Sequence, residues 1–376
     1  MSGNDDVHTL AQWRRENGTC RVLCQGWYAD RLGVDRLPES EAMLAALAKR
    51  LPWGLVRRFL HVLGNHPAMK ARRLLWAAGG YDVIVTSSAP VSVWYGLFHA
   101  LGLRRPGAKH VAVEFFTGPP RRWFMIALWP LLRAVMRWSL DSAYAIMVHS
   151  FAETAIYQDF YGLRNPIMVF APFGGDPKLL TRPTTYDGAV LAAGRDSRDF
   201  HSFIQAVRGT GVSAAIIAPK GSFLHVRLPD NITLYEDISR DAYIGLLAEA
   251  QLVVVPLQNK ARSVGQVVLT NAMALGKAVI ATRTIGTVDY IAHGKTGMLV
   301  PPYDVPALRE AILCLITDED ARQRLGTAAR EAARRFYECH LKALQLVIDS
   351  AVDARTMPTR SHLAAPPPVA TLDPEI

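Results

Sequence analysis

The sequence predicts an α/β protein of two doubly wound domains, each a parallel sheet with helices on both faces. Three observations carry this. Short apolar runs alternate with helical windows twice along the chain. A polar, Pro- and Thr-rich break, DPKLLTRPTTYD over 176–187, separates the two series. And 376 residues are too many for one ordinary core, at roughly 150 residues per domain.

In order, CRVLCQGWY (20–28) reads as a first buried strand, and 40–79 is helical in pattern with breaks at Pro52 and Pro67. YDVIVTS (81–87) is a strand and PVSVWYGLFHALG (90–102) a helix; KHVAVEFF (109–116) is a strand, followed by a helical stretch to Leu140 that Pro130 should kink. SAYAIMVHS (142–150), FAETAIYQDFYG (151–162) and PIMVFAPFG (166–174) continue as strand, helix and strand. After the break come strands at 188–194, 213–219, 232–236, 252–256, 278–282 and 297–302. Helices are expected at 198–209, 240–250, 266–276 and 305–316, then a last one to about Val352. The division is therefore 1–176 for an N-terminal domain, 177–187 for a linker and 188–340 for a C-terminal domain. A helix crossing back over 341–352 and a disordered tail over 353–376 complete it. In such sheets a ligand is expected in the crevice at the carboxyl ends of the strands.

Half the residues are hydrophobic and a fifth charged, a globular composition. The formal charge of +9 is lopsided: residues 1–172 hold 20 Lys and Arg against 12 Asp and Glu, and the remainder 22 against 21. A basic half suits an anionic membrane or a nucleic acid. No recognised nucleic-acid module appears, so that partner is not expected. Cys20, Cys24, Cys314 and Cys339 lack paired zinc spacing and read as reduced thiols. The first residues, MSGNDDVHTLAQWRRENG, have no apolar core, and no apolar run reaches the roughly 20 residues of a membrane span. A cytoplasmic protein is expected, peripheral on the inner face of a membrane. Its contact would be RRWFMIALWPLLRAVMRW (121–138), whose flanking arginines and interspersed tryptophans suit an interfacial helix. A buried packing helix is the alternative.

Two junctions carry the chemistry. In LVVVPLQNKARSVGQVVLTNAMALGKAVIAT (252–282) a buried strand ends at Pro256 and a helix opens near Gln266. Gly265 admits close backbone approach, Ser263 can cap the helix, and the first free N–H groups face an anion. An ordinary strand–loop–helix crossover is the competing reading. In AAGRDSRDF (192–200) a strand ends at Gly194, and Arg195 and Arg198 follow on the cleft side, suited to clamp a diphosphate. There the alternative is a solvated helix start.

Over 144–335 the chain resembles the group 1 (family 4) retaining glycosyltransferases. AYAIMVHSFAETAIYQDFYG, FGGD, AAGRDSRDF, DISRDAYIGLLAEAQLVVVP, SVGQVVLTNAMALGKAVIAT and GTVDYIAHGKTGMLVPPYDVPALREAI match its elements in family order. The resemblance implies a GT-B fold, two Rossmann-like domains facing each other across a cleft. It implies a nucleoside-diphosphate sugar donor, transfer with retention, and neither an essential metal nor a cofactor. Arg195 and Arg198 would then hold the diphosphate beside Gly194, Arg198 standing where the family usually has lysine. Backbone at Val264, Gly265 and Gln266 would hold phosphate, and Tyr235, Asp237 and Ile238 would edge the base pocket. The family's two donor-motif glutamates fall here on Ser263 and Asn271; Asn271 can still accept from a ribose hydroxyl. The family's N-domain histidine is not evident, and Glu114 is the nearest polar candidate for a catalytic part. His110 and His149 read as structural. The expected acceptor is a lipid-linked or cell-envelope glycan. A non-catalytic GT-B partner subunit and a GT-B sugar-nucleotide epimerase are the rival readings.

Overall fold

The computed structural model describes residues 21–24, 34–36, 66–103, 107–115 and 127–352. Cys20, most of the helical pattern over 40–65, the segment 116–126 and the tail 353–376 lie outside the described residues. The chain groups into two units: Met1–Val148, Thr154–Phe170 and Ala343–Ala364 in the first, and His149–Glu153, Ala171–Lys342 and Ala365–Ile376 in the second.

The first unit is built on six parallel strands: β1 (Val22–Cys24), β2 (Asp35–Arg36), β3 (Val83–Thr86), β4 (Lys109–Ala112), β5 (Ala145–Val148) and β6 (Ile167–Phe170), ordered β2-β1-β3-β4-β5-β6. Its helices are α1 (Pro67–Ala77), α2 (Ala89–Ala100), α3 (Trp129–Leu140) and most of α4 (Phe151–Tyr161). β2 was not expected; it is two residues paired to β1, Leu23 opposite Asp35. The kink at Pro130 was expected within a longer helical stretch, of which 116–126 lies outside the described residues; the described chain turns at Leu128 and α3 begins at Trp129. Pro130 lies in the first turn of α3, where its missing N–H leaves no helical bond unmade.

The second unit carries β7 (Val190–Ala193), β8 (Ala214–Ala218), β9 (Ile232–Glu236), β10 (Leu252–Val255), β11 (Val279–Thr282) and β12 (Met298–Val300), also parallel and ordered β12-β11-β10-β7-β8-β9. Between them run α5 (Phe200–Val207), α6 (Arg240–Glu249), α7 (Gln266–Ala274) and α8 (Val305–Thr317). Alternate residues of one strand feed different cores: Leu191 and Ala193 join one cluster with Met273 and Phe336, while Val190 and Ala192 join another with Phe203 and Ile312. Both faces are covered at β7, β8 and β10, so these strands read as unbroken apolar runs. α9 (Glu319–Val352) follows; from Ala343 it groups with the first unit, where the hydroxyls of Ser350 and Tyr144 lie 2.6 Å apart. Among the described residues no helix is long and apolar enough to cross a membrane.

Candidate functional site

From β7 the chain of the second unit passes to β8 and β9 on one side, and from β10 to β11 and β12 on the other. The order turns back between β7 and β10. Loops leaving the carboxyl ends of two such strands form the natural crevice of a doubly wound sheet. The two junctions singled out in the sequence are these two loops.

The loop after β7 begins at Gly194, with φ +143° and its N–H donating to Ile217 O at 3.1 Å. A Cβ there would lie 2.1 Å from Arg198 Nε, because the guanidinium folds back over the glycine. Nε donates to Ala193 O at 2.9 Å and Nη1 to Asp196 O at 2.8 Å. Burial pulls the Arg198 pKa down to about 10, against the attraction of Tyr243 and Asp196, so it remains a cation at neutral pH. Arg195 is exposed. Asp199 caps α5, accepting from Ser202 N at 3.1 Å.

The loop after β10 is tied to the first. Asp199 N donates to Pro256 O, and Gln258 N to Ser197 O, both at 3.0 Å. Arg262 forms an ion pair with Asp196. The loop ends at Gly265, which occupies the N-cap position of α7 with φ +94°. A Cβ on Gly265 would approach Leu257 Cδ2 to 3.0 Å. α7 opens with no side-chain cap, which corrects the expectation for Ser263. The Ser263 hydroxyl instead donates to Glu153 Oε2 at 2.5 Å, and its N–H to Glu153 Oε1 at 2.6 Å. The Gln266 side chain turns aside too, its Nε2 donating to Gly286 O at 3.0 Å. Neither side chain is spent on capping the helix.

Asn271 is buried on α7, with Nδ2 at 3.5 Å from the Tyr243 hydroxyl. Val264 is a core residue, and Tyr235, Ile238 and Tyr243 pack against the same cluster. Asp237, at φ +47°, accepts from Lys220 N at 3.2 Å, and Glu236 from Gly221 N at 2.8 Å. These residues fix the loop after β8 against the end of β9. Arg195, Arg198, Val264 and Gly265 thus lie on the paired loops and Gln266 at the start of α7, while Tyr235 lies in β9 at the far edge of the sheet and Asp237 and Ile238 directly follow it. Glu114 belongs to the first unit, just beyond β4 and at φ +51°.

Residues 220–332 match the family of glycosyl transferases, group 1. Over that stretch the chain is similar to the group 1 glycosyl transferases. The chain is 37% identical over 93 residues to a D-inositol 3-phosphate glycosyltransferase of Corynebacterium glutamicum, a stretch covering 25% of this chain and 22% of that protein. It is 38% identical over 90 residues to an exopolysaccharide phosphotransferase of Streptomyces coelicolor, covering 24% of this chain and 9% of that one. The chain therefore spans well under two thirds of these curated relatives. Among solved structures, HepE of Anabaena in complex with UDP superimposes with a TM-score of 0.61 at 16% identity, covering 88% of this chain and 100% of that one. Sucrose-phosphate synthase of Thermosynechococcus elongatus does so with a TM-score of 0.57 at 19% identity, covering 73% and 77%. Together with the two parallel α/β units, these likenesses give the fold as GT-B.

Sequence reading did not single out three residues bonded to the paired loops or to Asn271: Glu153, Arg262 and Tyr243. The pattern Ser150-x-x-Glu153 at the start of α4 is a capping-box signature that marks Glu153 as a positioned carboxylate. Arg262, next to Ser263, was a further cation on the loop. Tyr243 had no local signal.

Proposed function

We propose that the chain transfers a sugar, with retention, from a nucleoside-diphosphate sugar to a lipid-linked or cell-envelope glycan acceptor. The observation that carries this is the joining of the 194–198 and 256–265 loops at the switch point of the second sheet, with a half-buried guanidinium on one and an uncapped helix start on the other. The N–H groups of Val264, Gly265 and Gln266 receive phosphate oxygens. Arg195 and the Nη2 of Arg198 neutralise the diphosphate as the C1–O bond breaks and the electron pair departs with it. The acceptor hydroxyl adds to C1, and its proton ends on the released diphosphate. No metal is needed in this scheme, because fixed cations already face the leaving group. Asn271 accepts from a ribose hydroxyl, Tyr235, Asp237 and Ile238 edge the base, and Glu114 is the candidate on the acceptor side. HepE was solved with UDP and with UDP-glucose, which supports a uridine donor as the first to try.

The acceptor class rests on the basic half and on α3, which exposes Leu131 and Trp138 on its surface beside Arg133. Sedimentation with anionic vesicles at low salt, absent with neutral ones, is expected of a peripheral enzyme; indifference to both removes this part.

The donor class is tested by thermal shift with UDP, GDP, ADP and their sugars, since a ligand of the native state raises Tm by mass action. Turnover with release of nucleoside diphosphate, abolished in Arg195→Ala, is the expected result. A subunit that binds nucleotide without turnover is the second reading, favoured by Ser263 and Asn271 standing where glutamates were expected. Binding with neither hydrolysis nor transfer selects it, and formation of an epimer from donor alone selects the epimerase.

A further inference from the structure

Behind the 263–266 turn lies a carboxylate for which the donor-binding scheme has no use. Glu153 is wholly buried, and so is Ser263. Both Glu153 oxygens accept from Ser263, one from its N–H and one from its hydroxyl. The segment bearing Glu153 is itself anchored. Ser150 Oγ donates to Ile285 O at 2.6 Å, Phe151 N to Asp289 Oδ2 at 2.8 Å, and Tyr290 OH to His149 O at 2.8 Å. The 285–290 stretch also grips the start of α7, through Gln266 on Gly286 O. Gly286 fits so closely there that a Cβ would meet Gln266 Nε2 at 2.6 Å and Ser263 Cα at 2.9 Å. Three stretches far apart in sequence, 149–153, 263–266 and 285–290, form one clasp within the second unit.

A buried carboxylate is costly unless it is fully bonded, and a negative charge beside an anion-binding turn opposes the anion. A fold that keeps one here uses it for geometry. We propose that Glu153 is a positioning residue of the donor site, acting through Ser263. By taking the Ser263 N–H and hydroxyl, it keeps that hydroxyl off the first N–H groups of α7. It also fixes the turn so that the N–H groups of 264–266 face a nucleoside diphosphate. This rests on the donor reading above. It also accounts for a serine at 263: the carboxylate is delivered to that point from α4, across 110 positions of chain.

Charge and geometry predict opposite signs. Glu153→Gln removes a negative charge, so a purely electrostatic role makes a nucleoside diphosphate bind more tightly. The positioning role makes it bind more weakly, by about tenfold, the usual worth of a buried charged hydrogen bond. The measurement is the Kd of wild type and variants for UDP, GDP and ADP by calorimetry, with circular dichroism to verify folding. Ser263→Ala deletes only the hydroxyl bond and changes no charge; it is expected to weaken the same ligand about threefold. The double variant should be less than additive, and the donor KM should rise while the acceptor KM stays put. Unchanged or tighter binding in Glu153→Gln overturns the proposal. If that variant does not fold, unchanged binding in Ser263→Ala overturns it alone. A wild type that binds none of the three nucleotides overturns the donor reading itself, and this inference with it.

Discussion

The two sheets are both six-stranded and wholly parallel, and the contents of their switch points differ. In the first unit the order turns back between β1 and β3; residues 25–33 after β1 lie outside the described ones, and the side chains bonded around Thr86 at the end of β3 are neutral. Ser92 Oγ donates to Ser88 O at 2.9 Å, so it must accept from Thr86 Oγ1 at 2.7 Å. Thr86 then accepts from His110 Nε2 at 2.9 Å, which fixes His110 as the neutral Nε2–H tautomer. In the second unit the turn-back lies between β7 and β10 and is lined with charge: Arg198 on carbonyls, Arg262 on Asp196, Glu153 on Ser263. Formal charge on a switch point belongs where a charged ligand must be held without water, and only the second unit has that organisation among the described residues.

Acid should break this contrast most strongly. Burial pulls the pKa of His110 down to about 3, and that of His149 to about 4 despite its bond to Ala171 O. The unfolded chain titrates near 6.5, so between that pH and the folded value the unfolded state binds the extra proton. Stability is therefore fully present above pH 6.5 and falls as pH drops. For His149 the loss is roughly 3 kcal/mol by pH 4, at ~1.4 kcal/mol per pKa unit. All eight tryptophans lie at or before Trp138, so their fluorescence follows the first unit and His110, while circular dichroism follows both. His149→Gln should flatten the pH dependence of the second unit alone, by about one proton. An unaltered slope refutes the assignment.

Next in size is Arg198→Ala. It leaves the carbonyls of Ala193 and Asp196 without their donor, at a cost of about 2 kcal/mol, and removes a cation from the ligand crevice. Denaturant midpoint and UDP affinity should fall together. A variant as stable as wild type means the guanidinium is not held as described.

What the sequence made legible is local chemistry. Pro256 and Gly265 bracket the loop because each acts on its own backbone, and Gly194 marks the end of β7 for the same reason. The alternation of apolar runs made both sheets readable, since burial on two faces keeps the central strands mostly apolar. β2 was invisible because its two residues carry no pattern. The Glu153 clasp was out of reach: Ser263 reads as a helix cap on every local rule, and only tertiary structure shows a stronger acceptor coming from α4.

Gly265→Ala sharpens the comparison at the second loop. The residue holds φ +94°, where a Cβ is strained and would press on Leu257. A loss of about 1–2 kcal/mol is expected by chemical denaturation, with weaker nucleotide binding because the turn must shift. Normal stability and normal binding together would show that the turn tolerates a side chain.

The smallest effect on folding is expected from Arg195→Ala, and it isolates ligand from scaffold. Arg195 stands one residue beyond Gly194 and three before Arg198, on the same loop, yet it is exposed while Arg198 is folded back onto the strand end. An exposed arginine contributes little to folding, so stability should stay within about 0.5 kcal/mol of wild type. Its contribution to binding is a charge facing the ligand through water, worth about tenfold in UDP affinity at low salt and shrinking as ionic strength rises. On the donor reading, Arg198→Ala should lose affinity at every salt concentration, because a half-buried guanidinium folded onto the strand end is less screened than an exposed one. If the two variants show the same salt dependence, the inward and outward arginines do not divide the work, and the diphosphate is held by one kind of contact rather than two.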